Sequence, residues 1–292
     1  MPNYIPYFPP PLLEDLRRCL VVPFIGAGFS RNARTPPGIS VPDFNTIGME
    51  LAAQIPGYTY NGNPVDATSE YEFVYGRAQL VQELNRLLLI GVAQPGLAHL
   101  AFARLPWRLV ITTNFDYLLE EAWDRLNVIN RPVMFADQLT IPTPDCGITL
   151  LKIHGDTNHP ERMIVTEYDY DTFLDRYALI ATYLAAQLIT KTALFIGYSL
   201  DDYDFRQIWD TIDDRLGGMR RLAYTILVGA SPEMISRFER RGVRVINLPG
   251  NPANYNQILA DVFTQLQPFV PDCCCDFEML DGEGETTSDR CC

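Results

Sequence analysis

Residues Val21–Ser30 read VVPFIGAGFS, and the fold is decided on this stretch. Val21, Val22, Phe24 and Ile25 make a short apolar run without alternation, the pattern of a strand covered on both faces. It runs straight into Gly26-Ala27-Gly28 and then Ser30. Two glycines around a small residue let the backbone turn tightly and bring its N–H groups against a diphosphate. A following helix start adds its positive dipole end, and Ser30 suits either a cap or a ligand contact. The full dinucleotide fingerprint asks for a third glycine. Arg31 stands in that place, which disfavours a hydride-transferring dehydrogenase. A plain strand-to-helix turn with no ligand fits these ten residues equally well, so the rest of the chain must decide.

Working outward, residues 2–11 hold five prolines and read as an extended arm, followed by a short helix over Leu12–Leu20. After the glycine turn, Arg34–Asp43 is a proline-rich loop, Phe44–Ile55 is weakly helical and Pro56–Pro64 is a second loop. Glu70–Val92 is expected to be helical, with Leu80, Leu84, Leu87 and Leu88 on one face, and Leu97–Leu105 adds another segment. These residues form a helical insertion over about 38–104.

From Leu105 strands alternate with helices. Arg108–Thr112, Pro132–Phe135, Ile148–Ile153, Met163–Val165, Ala193–Ile196, Ala223–Val228 and Val243–Ile246 are the candidate strands. Tyr117–Leu126, Tyr170–Thr190, Asp201–Leu216 and Tyr255–Leu266 are the candidate helices. Such alternation argues for an α/β fold, a Rossmann-like parallel sheet with helices on both faces. Three regions are expected: an arm and short helix at 1–20, a nucleotide-binding domain at 21–270, and an acidic cysteine-containing tail at 271–292.

The 292 residues are 47% hydrophobic and 20% charged, ordinary for a globular protein. Net charge is −13, with residues 272–292 contributing seven acids against Arg290 alone. A chain of that sign repels phosphate backbones, so nucleic acid is not an expected partner. No apolar run is long enough for a membrane span, and the first twenty residues lack a secretory layout, so the cytoplasm is the expected compartment. Only Lys152 and Lys191 are lysines and no GK[ST] occurs, which removes P-loop nucleotide hydrolysis. The seven cysteines, mostly in the tail, include no pair at zinc-ligand spacing. No metal is expected; the tail reads as a reduced, flexible segment or a small folded staple.

Ligands of such sheets bind at the carboxyl ends of the strands. Gly26, Asn114, His154 and Gly197 all fall there. His154 follows an apolar strand and precedes Gly155, so its imidazole is expected to face the cleft, where a near-neutral pKa suits a general base. Asn114 offers an amide that can hold a water or a ribose hydroxyl without charge, or it caps the helix from Tyr117. Asp116 either binds an amide or hydroxyl or caps that same helix.

The order of Gly26-Ala27-Gly28-Phe29-Ser30, Thr113-Asn114-Phe115-Asp116, His154-Gly155 and Gly197-Tyr198-Ser199-Leu200 resembles the sirtuin (SIR2) superfamily. Gly38-Ile39 with Pro42-Asp43-Phe44 resembles its nicotinamide-covering loop, with an insertion. The TTNFD form and the GYSLDDYDF stretch resemble SIR2-like domains of bacterial anti-phage systems. That resemblance implies a sheet that binds NAD+ as substrate and cleaves it, with nicotinamide expelled. It further implies that Asn114 and His154 are catalytic, and that Gly26, Ala27, Gly28 and Ser30 cradle the pyrophosphate. By the same resemblance Asp116 lies near the nicotinamide amide, and Gly197 and Ser199 on the adenosine side. Protein-deacylating sirtuins carry a zinc ribbon with two CxxC pairs after the catalytic histidine. This chain has no cysteine between His154 and Gly197, so water is the more natural acceptor. The expectation is an NAD+ glycohydrolase that depletes NAD+ in defence, assembled with itself or with a sensor protein. A non-catalytic NAD or ADP-ribose sensor is the alternative, with a deacylase or ADP-ribosyltransferase behind it.

Overall fold

The computed structural model describes residues 2–144, 147–198, 209 and 221–271. Seven strands are present among them: β1 (Val21–Ile25), β2 (Leu109–Thr112), β3 (Asn130–Val133), β4 (Ile148–Lys152), β5 (Thr192–Ile196), β6 (Ala223–Val228) and β7 (Val243–Leu248). They pair in parallel in the order β3-β4-β2-β1-β5-β6-β7. This is the expected Rossmann-like sheet. β1 is buried at every position because its side chains serve two cores. Val21 and Ile25 enter one, Val22 and Phe24 the other. That division removes any polar alternation from the strand.

Eleven helices flank the sheet among the described residues. They are α1 (Pro10–Arg17), α2 (Ala27–Ser30), α3 (Phe44–Ala52), α4 (Pro64–Tyr75), α5 (Arg77–Leu87), α6 (Leu97–Ala103), α7 (Leu118–Arg125), α8 (Glu167–Arg176), α9 (Ala178–Thr190), α10 (Pro232–Glu239) and α11 (Tyr255–Leu266). Leu12, Phe102, Trp123 and Phe263 cover one face of the sheet. Phe173, Leu184, Trp209 and Phe238 cover the other. Phe102 and Phe263 meet edge to face at 5.3 Å, and truncating either to alanine would cost about 3–5 kcal/mol.

The helical insertion has its own core, where Ile47, Leu51, Tyr71, Leu80 and Leu84 close on one another. Met163 and Val165 join it, so the insertion is bound to the segment after β4. Polar bonds reinforce that seam. Thr68 Oγ1 donates to the Val165 carbonyl at 2.6 Å, and Arg77 donates to the carbonyls of Pro160 and Met163 and to Asp169 Oδ2.

Several boundaries differ from the sequence reading, each for a local reason. Glu70–Val92 is two helices, broken where Gly76 takes φ 85. Tyr170–Thr190 also breaks, at Tyr177, whose ring instead lies under the Arg162 guanidinium at 3.8 Å. Met163–Val165 makes no strand, its backbone being used by α4 and Arg77. The arm is not free: Tyr4 and Phe8 are buried, and Tyr4 N donates to Gln265 Oε1 on α11. α10 went unexpected, although Ser231 caps it and Pro232 opens it. Cys19, at φ 53 before β1, is disulfide-bonded, so not every cysteine of the chain is a free thiol. Ser199, Leu200, the expected helix Asp201–Leu216 apart from Trp209, Cys146 and the acidic tail beyond Pro271 lie outside the described residues.

Candidate active site

The turns after β4, β2, β1 and β5 are neighbours, because those four strands are adjacent in the sheet. The chain leaves β1 with β2 on one side and β5 on the other. This is a topological switch point, where the carboxyl ends of such sheets open a crevice.

At the switch point the glycines of the first turn close on the fourth. Gly26 N donates to the Ile196 carbonyl at 3.0 Å, and Gly28 N to the Gly197 carbonyl at 2.8 Å. A Cβ on Gly26 would sit 2.6 Å from the Gly197 oxygen, and one on Gly197 would sit 2.2 Å from Phe29 N. Gly197 also holds φ 63. Here, then, the glycines allow two turns to touch, and Ala27 is left exposed at their lip. Tyr255, opening α11, hydrogen-bonds the Gly197 backbone, and burial holds its hydroxyl pKa above the ordinary value. The sequence reading assigned Tyr255 only to a closing helix.

A chain of hydrogen bonds joins this turn to the next. Thr112 Oγ1 donates to the Ile25 carbonyl at 2.9 Å and accepts from Asn114 N at 3.0 Å. Asn114 Nδ2 donates to the Gly26 carbonyl at 3.1 Å and to Ser30 Oγ at 2.9 Å. Ser30 Oγ donates in turn to Asp116 Oδ2 at 2.5 Å. Because the Gly26 oxygen can only accept, the amide orientation of Asn114 is settled. Both its N–H bonds are used, and Oδ1 is the atom it offers to a ligand, an acceptor for a hydroxyl or a water. Asp116 Oδ1 accepts from Leu118 N at 3.1 Å and so caps α7. Ser30 ends its own helix and is no cap; its hydroxyl is buried in this network.

His154 lies on the third turn and is 2% exposed. Its ring stands edge-on to Tyr170 at 5.4 Å and to Phe173 at 6.5 Å, both from α8. Ile164 N donates to its carbonyl at 3.0 Å. Arg162, wholly buried, donates from Nη2 to the Ile153 carbonyl at 2.9 Å and from Nε to the Met134 carbonyl at 2.6 Å. Gly155, at φ 71, lets the chain turn against Arg162. The imidazole thus has a rigid mount at the carboxyl end of β4.

Beneath these turns lies a charged cluster that sequence reasoning passed over. Lys152, the last residue of β4, is wholly buried. Its Nζ donates to the Asp116 carbonyl at 2.8 Å and to Glu120 Oε1 at 2.7 Å, and stands 3.7 Å from Asp156 Oδ2. It also lies 4.5 Å over the Tyr117 ring. Burial pushes the Glu120 carboxyl up against the opposing pull of Lys152, and pushes the Tyr117 hydroxyl up to about 12. Asp156 also accepts from Asn158 N at 3.0 Å and meets His159 Nδ1 at 2.8 Å.

Behind the glycine turn, His99 packs on Phe29 with ring centroids 4.5 Å apart. Its Nδ1 accepts from Gly96 N at 3.2 Å, and burial lowers its pKa to about 3. Among the described residues no group of His, Cys, Asp and Glu is arranged to hold a metal ion, and no helix is long and apolar enough to cross a membrane.

Residues 108–246 match the SIR2-like domain family. That stretch contains Asn114, Asp116, His154 and Gly197; the glycine turn at 26–30 precedes it. An NAD(+) hydrolase ThsA of Acinetobacter baumannii is 30% identical over 153 residues, 52% of this chain and 31% of the relative. A second NAD(+) hydrolase ThsA, from Bacillus cereus, is 32% identical over 104 residues, 36% of this chain and 22% of the relative. Defense-associated sirtuin 2 of Bacillus subtilis is 29% identical over 145 residues, 47% of this chain and 14% of the relative. The matched region spans less than a third of each of these relatives.

Proposed function

We propose, from the premise that this chain carries a SIR2-like domain, that it is an NAD+ glycohydrolase releasing nicotinamide and ADP-ribose. The observation that carries the reading is the fixed amide of Asn114, held by Gly26 and Ser30 so that its Oδ1 is the free acceptor. The histidine turn stands two strands from β1, on the far side of β2. The names of the relatives from Acinetobacter baumannii and Bacillus cereus support the same activity.

The chemistry needs little beyond placement. Nicotinamide departs as a neutral base with the electrons of the glycosidic bond, and positive charge develops on the ribose as in glycoside cleavage. Asn114 Oδ1 would hold the attacking water, or a ribose hydroxyl, by accepting a hydrogen bond from it. His154 would take the proton released as water adds. Its burial behind Tyr170 and Phe173 excludes bulk solvent from the base. Asp116 would act from one step back, since its carboxylate orients Ser30 and caps α7.

Incubating the purified protein with NAD+ and following nicotinamide and ADP-ribose tests the reading. Binding without nicotinamide release would favour a sensor. Release that requires an acyl-lysine peptide would favour a deacylase, against the absence of cysteine between His154 and Gly197.

The relative named as a defence-associated sirtuin supports a setting in defence, and the role read for this chain is an NAD-depleting effector in the cytoplasm, held off until infection. The hold requires assembly with itself or with a protein partner, and a segment that gates the cleft. Residues Arg34–Pro64 are that segment, narrowed by α3 to the loop before it. Arg34 is tied to Gln94, Val41 is buried in the core of the insertion and Asp43 caps α3, which leaves residues 35–40 to move.

A further inference from the structure

We propose that Lys152 is a positioning residue that sets the Asn114 turn and the His154 turn in register with each other. The proposal deepens the glycohydrolase reading and rests on it for its kinetic part. Of the chain's two lysines, Lys152 is the one sealed from solvent at the carboxyl end of the sheet.

A buried ammonium is costly to desolvate, and apolar residues would fill the same space more cheaply. Lys152 is instead placed where one side chain can reach two turns. Through the backbone it stands two residues before His154. Through Nζ it grips the carbonyl of Asp116, at 2.8 Å. That carbonyl belongs to the residue whose carboxylate receives Ser30 Oγ, and Ser30 Oγ receives Asn114 Nδ2. A shift of the Asp116 peptide would therefore pass directly to the Asn114 amide. Glu120 and Asp156 balance the ammonium charge, and the Tyr117 ring closes its open side. Each partner comes from the Asn114 turn, α7 or the histidine loop, so the cluster is a bracket between the two reacting turns. Displacements of about 1 Å at such turns cost on the order of 100-fold in rate.

The test compares two variants of the full chain. E120Q removes one buried charge and keeps the bond from Lys152 to the Asp116 carbonyl. K152M combined with E120Q removes that bond without leaving the Glu120 charge unpaired. Expected are turnover in E120Q within about threefold of wild type and a fall of about 30- to 100-fold in kcat for the double variant, with KM for NAD+ changed less than threefold. Thermal melting of both variants establishes that they fold. Hydrogen exchange gives a readout independent of activity: the Asn114 and Leu118 amides should exchange at least tenfold faster in the double variant than in E120Q. Equal kcat and equal exchange in the two variants would overturn the proposal. If the wild-type protein hydrolyses no NAD+, the glycohydrolase reading falls, and the exchange comparison alone decides whether Lys152 holds the turn. Should K152M with E120Q fail to fold, K152L in the same background, which likewise offers no donor to the Asp116 carbonyl, replaces it with the same expected outcomes.

Discussion

Asn114 Nδ2 lies 3.1 Å from the carbonyl oxygen of Gly26, a bond between residues 88 positions apart. It binds the end of β2 to the end of β1 and commits the asparagine amide in one orientation. Asn114→Ala would remove both that tie and the acceptor Oδ1. Nicotinamide release is expected to fall at least 100-fold, on the scale of losing one positioned polar group in a transition state. Asn114→Asp should be as damaging, because a carboxylate oxygen cannot donate to the Gly26 carbonyl. An Asp variant with more than a tenth of wild-type turnover would contradict the assigned orientation.

His154→Ala is expected to abolish turnover while NAD+ still binds. Its task lies in the transition state, and general-base contributions run at about 10²- to 10⁴-fold. Calorimetric titration with NAD+ alongside a nicotinamide assay separates the two effects. Residual activity above a tenth of wild type would remove His154 from the mechanism.

Gly197→Ala should destabilise the fold by about 2–4 kcal/mol. The new methyl would carry a left-handed backbone and press on Phe29 N, so strain and overpacking add. Urea unfolding measures the loss. A variant as stable as wild type would show that the first and fourth turns can separate at no cost.

His99 gives a pH dependence. Its folded pKa is lowered to about 3, against about 6.5 in an unfolded chain. The neutral form is the one the fold accepts, so this contribution is fully present above about pH 6.5 and is lost as pH falls toward 3. Across that window the unfolded chain binds the extra proton, and stability should drop by about 1.4 kcal/mol per pH unit from this group. Asn at position 99 retains an acceptor for Gly96 N and does not titrate. His99→Asn should therefore flatten the slope of unfolding free energy between pH 4 and 6, whatever its effect on absolute stability. An unchanged slope would place the titration elsewhere.

Assembly and gating are tested together by concentration. Turnover per chain is expected to change between dilute and concentrated protein, or on adding a partner, and to be lost from that response in a monomer-forcing surface variant. A strict monomer hydrolysing NAD+ at full rate would dispose of the gate at residues 35–40.

The strands were legible because burial on both faces leaves mostly apolar runs, although Thr112 and Lys152 are buried polar residues at two strand ends. VVPFI and ITLLK announce themselves as core wherever the chain places them, and the turns after them carry the chemistry. Helix breaks were less legible. Gly76 and Tyr177 interrupt runs whose apolar spacing is continuous, Gly76 by taking φ 85 and Tyr177 where its ring meets Arg162.

By itself the sequence determined the class of sheet, the order of its turns and the residue types offered at each, since local periodicity and glycine spacing encode these directly. The tertiary structure alone decided which atoms of those residues are free. Ser30 and Asp116 are 86 positions apart, and nothing local predicts that the hydroxyl of one would occupy the carboxylate of the other. Lys152 was equally hidden, because a lysine at a strand end reads as a solvated charge until the fold closes Glu120, Asp156 and Tyr117 around it. Which polar groups remain for a ligand depends on partners brought from distant parts of the chain, and that selection is made only when the sheet assembles.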